Sequence, residues 1–311
     1  MDEITPLRKP FLYPLIVLAL VGCIFRFVGL EDYPGGIFVD EQGAIENILC
    51  LIRDGTSIYH KPWPLFFQGL GGFYDPVFIY SQALVAYFLE PTLATFRIIP
   101  TVFLLAACFG TAALAWMFIG KDGAILALVI ALFCPWSFHS GRLVWGSGVF
   151  TGFLTWGFFF LWRTKYSEKT GFAPYMWSIL SGVFLAAAMS LYRPANAVVL
   201  LLLAFLFVFR IPNRLAIRFR YLITTTVTIA ICGIPNILFL AGDGMGRVDG
   251  LSIFGKDHMK KLDGSYFAGF LEVVDNYKKL LSWDFLFVNG DAIWRHTPGR
   301  GALGWPEGVG I

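Results

Sequence analysis

The residues with the clearest chemical potential stand early in the chain, in Gly35-Gly36-Ile37-Phe38-Val39-Asp40-Glu41, just past the first hydrophobic segment. A carboxylate pair at a membrane–water boundary is costly unless it is used. After a Gly-Gly turn, one acid can face a cleft while the other is held by its neighbours. Activating a hydroxyl needs a carboxylate base within hydrogen-bond reach of the proton, and Asp40 or Glu41 can supply it. A departing phosphate needs cations or aligned donors for its developing charge, and Arg142, Arg193, Arg97, Lys61 or His60 can supply those. One base and one displaced phosphate suffice for a single inversion at a sugar carbon, without the two catalytic carboxyls of glycoside hydrolysis.

The elements that position these residues follow from composition. The chain has 311 residues, of which 57% are hydrophobic and 14% charged, and its mean hydropathy is +0.67. Soluble domains carry roughly a quarter charged residues, so the depletion marks a polytopic membrane protein. A net charge of +3 is too small to argue for nucleic acid. Cys23, Cys108, Cys134 and Cys232 lie in apolar runs and Cys50 in the first loop, with neither metal spacing nor a disulfide framework.

A span needs about 20 mostly apolar residues. Phe11 to Val28 is the first. Arg8 and Lys9 before it and Leu20-Val21-Gly22-Cys23 within it resemble export and lipoprotein signals, but the continuing apolar run favours an uncleaved span. Further runs fall at 93–119, 124–139, 148–163, 174–191, 195–210 and 221–241. The loop 31–92 between the first two contains two predicted helices, Glu41–Ile52 and Pro76–Leu89, ended by Asp54-Gly55 and Glu90-Pro91. The second is too short to span and is expected to lie along the interface. With the amino terminus inside, Lys121, Arg163, Lys165, Lys169, Arg210, Arg214, Arg218 and Arg220 fall on the inner face and the acids of loop 31–92 on the outer one. Counting 76–89 as a span would reverse this pattern. The expected fold is therefore all-α, with about seven transmembrane helices over 1–241 and an extracytoplasmic Gly-rich segment over 242–311. The spans read as poor in ionisable residues. Charges gather instead at their outer ends, at Asp40, Glu41, Asp75, Arg97, His139, Arg142 and Arg193, which suits a substrate that is part lipid and part water-soluble.

Each residue also has a plainer reading. Asp40 can be a helix N-cap, and Glu41 a first-turn acid favoured by the helix dipole. Arg193, Arg142 and Arg97 can anchor the loop at the interface. The aromatics Trp63, Phe66, Phe67, Phe73, Tyr74 and Tyr80 can form an interfacial belt.

The order Pro34-Gly35-Gly36, Asp40-Glu41, a short helix, then Tyr74-Asp75-Pro76-Val77-Phe78-Ile79-Tyr80 resembles the first outer loop of GT-C glycosyltransferases. Phe96-Arg97-Ile98-Ile99-Pro100 resembles the start of their next span, and His139-Ser140-Gly141-Arg142-Leu143-Val144 and Leu191-Tyr192-Arg193-Pro194 their second and third outer loops. Phe285 to Asp291, with Arg295-His296 and Gly299 to Gly304, resembles an outer segment of the bacterial branch. Protein O-mannosyltransferases and the aminoarabinose transferase acting on lipid A belong to this group. The resemblance implies transfer of a sugar from a polyprenyl phosphate to a hydroxyl of a lipid, glycan or protein at the outer face, with inversion, in a bacterial inner membrane. It implies Asp40 as base, Glu41 as its partner, and Arg193, Arg142, Tyr74, Asp75, Arg97 and Lys61 as substrate contacts. The family's second outer loop often carries an acid shortly after the Arg, where this chain has Trp145-Gly146-Ser147. No resident cofactor or metal is therefore expected, although Mg²⁺ or Mn²⁺ on Asp40, Glu41 and Asp75 is the alternative. Relatives continue with further spans, so the chain is expected to be the front part of a longer protein. The rival expectation is a non-catalytic polyprenyl-lipid carrier or binding subunit of an envelope polysaccharide pathway.

Overall fold

An apolar run followed by a lone arginine and a Gly-rich stretch sets the first element. Helix α1 covers Lys9–Phe25, and the chain then turns through 26–30. The computed structural model describes residues 9–69, 73–167, 171–208, 217–241 and 255–290. The chain divides into two compact units, Met1–Phe133 with Ser137–Ile237, and Cys134–Trp136 with Leu238–Ile311.

In the first unit, α2 (Val39–Asp54) begins two residues earlier than predicted. Phe38 takes the N-cap position, and Glu41, three residues on, accepts a hydrogen bond from the Phe38 N–H at 3.0 Å. Asp40 is therefore the second helical residue and not the cap. Gly55, with φ 67°, closes the helix in the left-handed region that a Cβ disfavours, and the Trp63 ring packs on it. Strands β1 (Phe67–Gln68) and β2 (Phe73–Tyr74) pair antiparallel, Phe67 opposite Tyr74. Helix α3 (Pro76–Phe88) follows, with Asp75 as its N-cap and Pro76 at its first position, where a missing N–H costs nothing.

Helix α4 runs from Leu93 to Phe133, 41 residues. A straight helix of that length would measure about 60 Å, twice the hydrocarbon thickness of a bilayer. It is broken at Gly120, whose φ of 80° and ψ of −174° are not helical, dividing it into 93–119 and 121–133. The apolar run predicted to reach 139 stops as a helix at Phe133. Cys134 precedes Pro135, and the proline ring disfavours helix at the residue before it. Short α5 (Pro135–Ser140) follows. Helices α6 (Gly146–Tyr166), α7 (Ala173–Leu191), α8 (Arg193–Val208) and α9 (Phe219–Ala241) complete the order.

Small residues let these helices approach. A Cβ on Gly152 of α6 would meet the Phe103 carbonyl of α4 at 2.7 Å, and one on Gly182 of α7 would meet Thr228 of α9, the close packing expected where lipid removes the hydrophobic drive between helices. Among the described residues three helices are long and apolar enough to cross a membrane: Leu93–Phe133, Ala173–Leu191 and the Phe219–Phe239 part of α9. The structure is thus helical, with one two-stranded sheet among the described residues.

In the second unit, α10 (Lys256–Lys261) and α11 (Tyr266–Leu280) are followed by a π-helical turn, Asp284–Val288. Phe285 to Asn289 of the resembling outer segment lie in and just after that turn. Asp291, Arg295, His296 and Gly299 to Gly304 lie outside the described residues, as do Arg210 and Arg214.

Candidate functional site

Loop 26–38 has little regular structure of its own, so something must hold it. Three buried arginines do. Arg26 donates to the Ala131 and Leu132 carbonyls at 3.0 and 2.8 Å, closing the carboxyl end of α4, and to the carbonyl and Oγ of Ser137 at 2.9 and 2.7 Å. Arg142 does the same for α1, donating to the carbonyls of Phe25 (3.0 Å) and Val28 (2.6 Å), while Phe138 packs its ring 4.3 Å from the guanidinium. Arg97, fully buried, donates to the carbonyls of Leu30, Pro34 and Gly36 at 2.9, 3.0 and 2.9 Å. Helix carboxyl ends carry negative partial charge, so Arg26 and Arg142 are compensated where they sit. Arg97 and Arg142 thus hold the loop through its own backbone carbonyls. Arg26, inside the predicted first span, was not singled out, and its partners are carbonyls more than a hundred residues away.

The same framework fixes Glu41. It is 2% exposed. Its Oε1 accepts from the Val144 N–H at 2.8 Å and stands 3.8 Å from Arg97 Nε, while its Oε2 accepts from the Phe38 N–H. The carboxylate therefore pins the start of α2 to the segment ahead of α6. Below it, Ala44, Ile48 and Leu51 of α2 repeat at helical spacing and pack on Phe78, Ile79, Ala83 and Ala86 of α3, with Val144, Val149 and Leu191 completing the cluster. Asn47, fully buried, donates to the Gly43 and Gln68 carbonyls and accepts from the Ile58 N–H, tying α2 to the loop that follows it.

Asp40, next to this locked acid, is half-buried, and among the described residues its carboxylate has no hydrogen-bond or ion-pair partner. Its backbone is held, because the Tyr74 hydroxyl donates to the Asp40 carbonyl at 2.9 Å. The neighbouring Asp75 is 6% exposed. Its Oδ1 caps α3 through the Val77 N–H at 2.7 Å, and its Oδ2 is buried without a hydrogen bond. Arg193, half-buried at the start of α8, donates to Asn236 Oδ1 at 3.2 Å, and its charge acts on Asp75. Asn236, buried beside Pro235 in the apolar run of α9, is a second residue that sequence reasoning missed. Tyr192, just before Arg193, stacks on Phe150 at 4.7 Å. The structure thus brings Asp40, Glu41, Tyr74, Asp75 and Arg193 around one packed cluster. Lys61 is exposed in the turn 57–62, where its backbone bonds to Ser57 and its side chain makes no bond among the described residues.

Burial pushes the Asp75 carboxyl up to about 6, against the opposing pull of the Val77 N–H and of Arg193. The unfolded chain ionises from its ordinary value of 3.8, while the folded chain keeps its proton until about pH 6. Stability therefore falls as pH rises through that interval and is flat above it. Asp75→Asn keeps an acceptor for the cap and cannot ionise. Thermal melts should show the variant gaining on wild type between pH 4.5 and 7.5, by about 2 kcal/mol. A gap that stays constant across that range would mean that Asp75 ionises in the fold as it does in the unfolded chain.

Among the described residues no three His, Cys, Asp or Glu side chains come together to hold a metal ion. Of the three acids weighed for that role, Glu41 has both oxygens engaged by backbone N–H groups, leaving Asp40 and Asp75.

No protein-family model matches the sequence, and no curated protein matches it. Among solved structures the chain is similar to the archaeal oligosaccharyltransferase AglB from Archaeoglobus fulgidus, in complex with an inhibitory peptide and a dolichol-phosphate. The identity is 10% and the TM-score 0.49, over 89% of this chain and 40% of that one. The chain thus spans well under half the length of that protein. A likeness at this level assigns no activity.

Proposed function

We propose that the protein is an inverting membrane glycosyltransferase of the GT-C type, moving a sugar from a polyprenyl-phosphate donor to a hydroxyl of a lipid, glycan or protein. The observation that carries this reading is the division of labour within one acid pair. Glu41 is buried and engaged on both oxygens, and Asp40 beside it is half-buried with a carboxylate that makes no bond among the described residues. That is a base held ready by its neighbour.

Asp40 takes the acceptor's hydroxyl proton as that oxygen forms a bond to the sugar's anomeric carbon. The bond from that carbon to the phosphate oxygen breaks on the opposite face, and polyprenyl phosphate leaves with the electron pair. Arg97 and Arg142 are buried in the loop, so the leaving phosphate falls to Arg193, with Lys61 at the rim. Tyr74 fixes the Asp40 backbone, and Asp75 orients Arg193. Seven segments cross the bilayer in this reading: α1, the part of α4 before Gly120, the part after it together with α5, and α6 to α9. The acid pair then faces outside, in a bacterial inner membrane.

The test is turnover of radiolabelled polyprenyl-phosphate sugars by the protein in lipid nanodiscs. Release of polyprenyl phosphate together with a labelled product supports the proposal. Donor binding without release would replace it with a carrier or lipid-binding subunit.

A further inference from the structure

Helix α11 (Tyr266–Leu280) is turned the wrong way for a helix in water. Its sequence places Tyr266, Phe270, Val274, Tyr277 and Leu281 along one stripe at helical spacing, with Phe267 and Leu271 beside it, and Glu272, Asp275, Asn276 and Lys279 opposite. In a water-soluble fold such a stripe faces the core. Here the polar and small side is the one in use. Glu272 Oε2 bonds to His258 Nε2 of α10 at 2.8 Å, and Gly269 is the buried residue of the helix. The apolar side is exposed: Phe267 and Leu281 at 70%, Tyr277 at 62% and Phe270 at 56%. Trp283, in the turn after the helix, is exposed as well. A continuous apolar face of this kind marks an interaction surface.

We propose that α11 is an interfacial helix, lying along the bilayer surface with this face seated in the boundary between headgroups and acyl chains. Two observations select lipid as the occupant. The chain keeps the helix close to a bilayer at all times: α9 is long and apolar enough to cross a membrane and ends at Ala241, and residues 242–254 reach at most about 45 Å even when fully extended. A surface tethered so closely meets lipid at high effective concentration. The composition also fits the interface. The face is rich in Tyr and Phe and is followed by Trp283, the residues that settle at headgroup depth. Lys278, beside Leu271 at the end of the face, has a stem long enough to lie along apolar surface while its charge reaches water. Lys and acidic residues are equal in number over 255–290, so apolar burial and not electrostatic attraction holds the helix down. The second unit is thereby fixed to the membrane surface, independently of the chemistry proposed above.

The test uses the whole chain in phosphatidylcholine nanodiscs, with the five native cysteines replaced and an environment-sensitive fluorophore on a new cysteine, either Phe270→Cys or Asp275→Cys. The probe at 270 should emit to the blue and lose intensity to nitroxide-bearing lipids but not to aqueous iodide; the probe at 275 should do the reverse. Equal iodide quenching at both positions would overturn the proposal. So would a probe at 270 shielded from both quenchers, which would mean that protein covers the face. Should the cysteine-free chain fail to fold, a benzophenone amino acid replacing Phe270 in the wild-type chain gives the same reading. An adduct with phospholipid supports the proposal, and an adduct with a second protein chain overturns it.

Discussion

Asp40→Asn should reduce sugar transfer by about a hundred- to ten-thousandfold, the usual worth of a positioned general base, while leaving the protein folded. The amide matches the carboxylate in shape and cannot take a proton. Among the described residues the Asp40 side chain makes no bond, so no contact is lost with the charge. The helix-dipole contribution of an acid in the first turn of α2 is lost, and near an exposed helix end that is under about 1 kcal/mol. The check pairs two readings on one preparation, single-turnover release of polyprenyl phosphate and the thermal midpoint. An Asn variant with wild-type turnover removes Asp40 from the chemistry. A variant that is both inactive and unstable would mean that Asp40 supports the loop rather than the reaction.

The local punctuation of the first outer loop was legible in the sequence. Asp54-Gly55 ends α2, Asp75-Pro76 opens α3, and an apolar period of three to four residues turns α2 onto α3. These features act within a few residues of themselves, where turn and cap chemistry is decided. The division between Asp40 and Glu41 was legible as a pair but not as an assignment. Which acid is buried depends on the Val144 N–H, a backbone group 103 residues away that no side-chain pattern advertises.

The arginines show the same limit more sharply. Arg97 and Arg142 are the residue types that bind phosphate, and their type alone sustains that expectation. Their partners are backbone carbonyls of loop 28–36 and of the α1 carboxyl end, which every sequence has and none displays. Arg26 was lost inside an apolar run, because one charge barely moves the average of a twenty-residue window. The π-helical turn and α11 were lost the same way: a fifteen-residue amphipathic helix disappears when 242–311 is averaged as one Gly-rich segment.

Glu41→Ala should do what Asp40→Asn does not, and lower stability by about 3–5 kcal/mol, the cost of removing one partner of a buried charged pair. Arg97 would keep its three carbonyls but lose the carboxylate 3.8 Å from its Nε. The Val144 N–H would be left in the interior without an acceptor, itself worth about 1–3 kcal/mol. Because the 3.8 Å approach is an ion pair without a hydrogen bond, the Val144 contact carries much of the effect. Glu41→Gln, which keeps one carbonyl oxygen for that N–H, should therefore recover part of the loss. The thermal midpoint should fall in the order wild type, Gln, Ala, and turnover should follow the same order, since the base rides on the turn of α2 that Glu41 pins. A Glu41→Ala protein that melts with wild type but turns nothing over would place Glu41 in the reaction itself. A protein that melts and turns over like wild type would show that the start of α2 is held by Arg97 and Tyr74 alone.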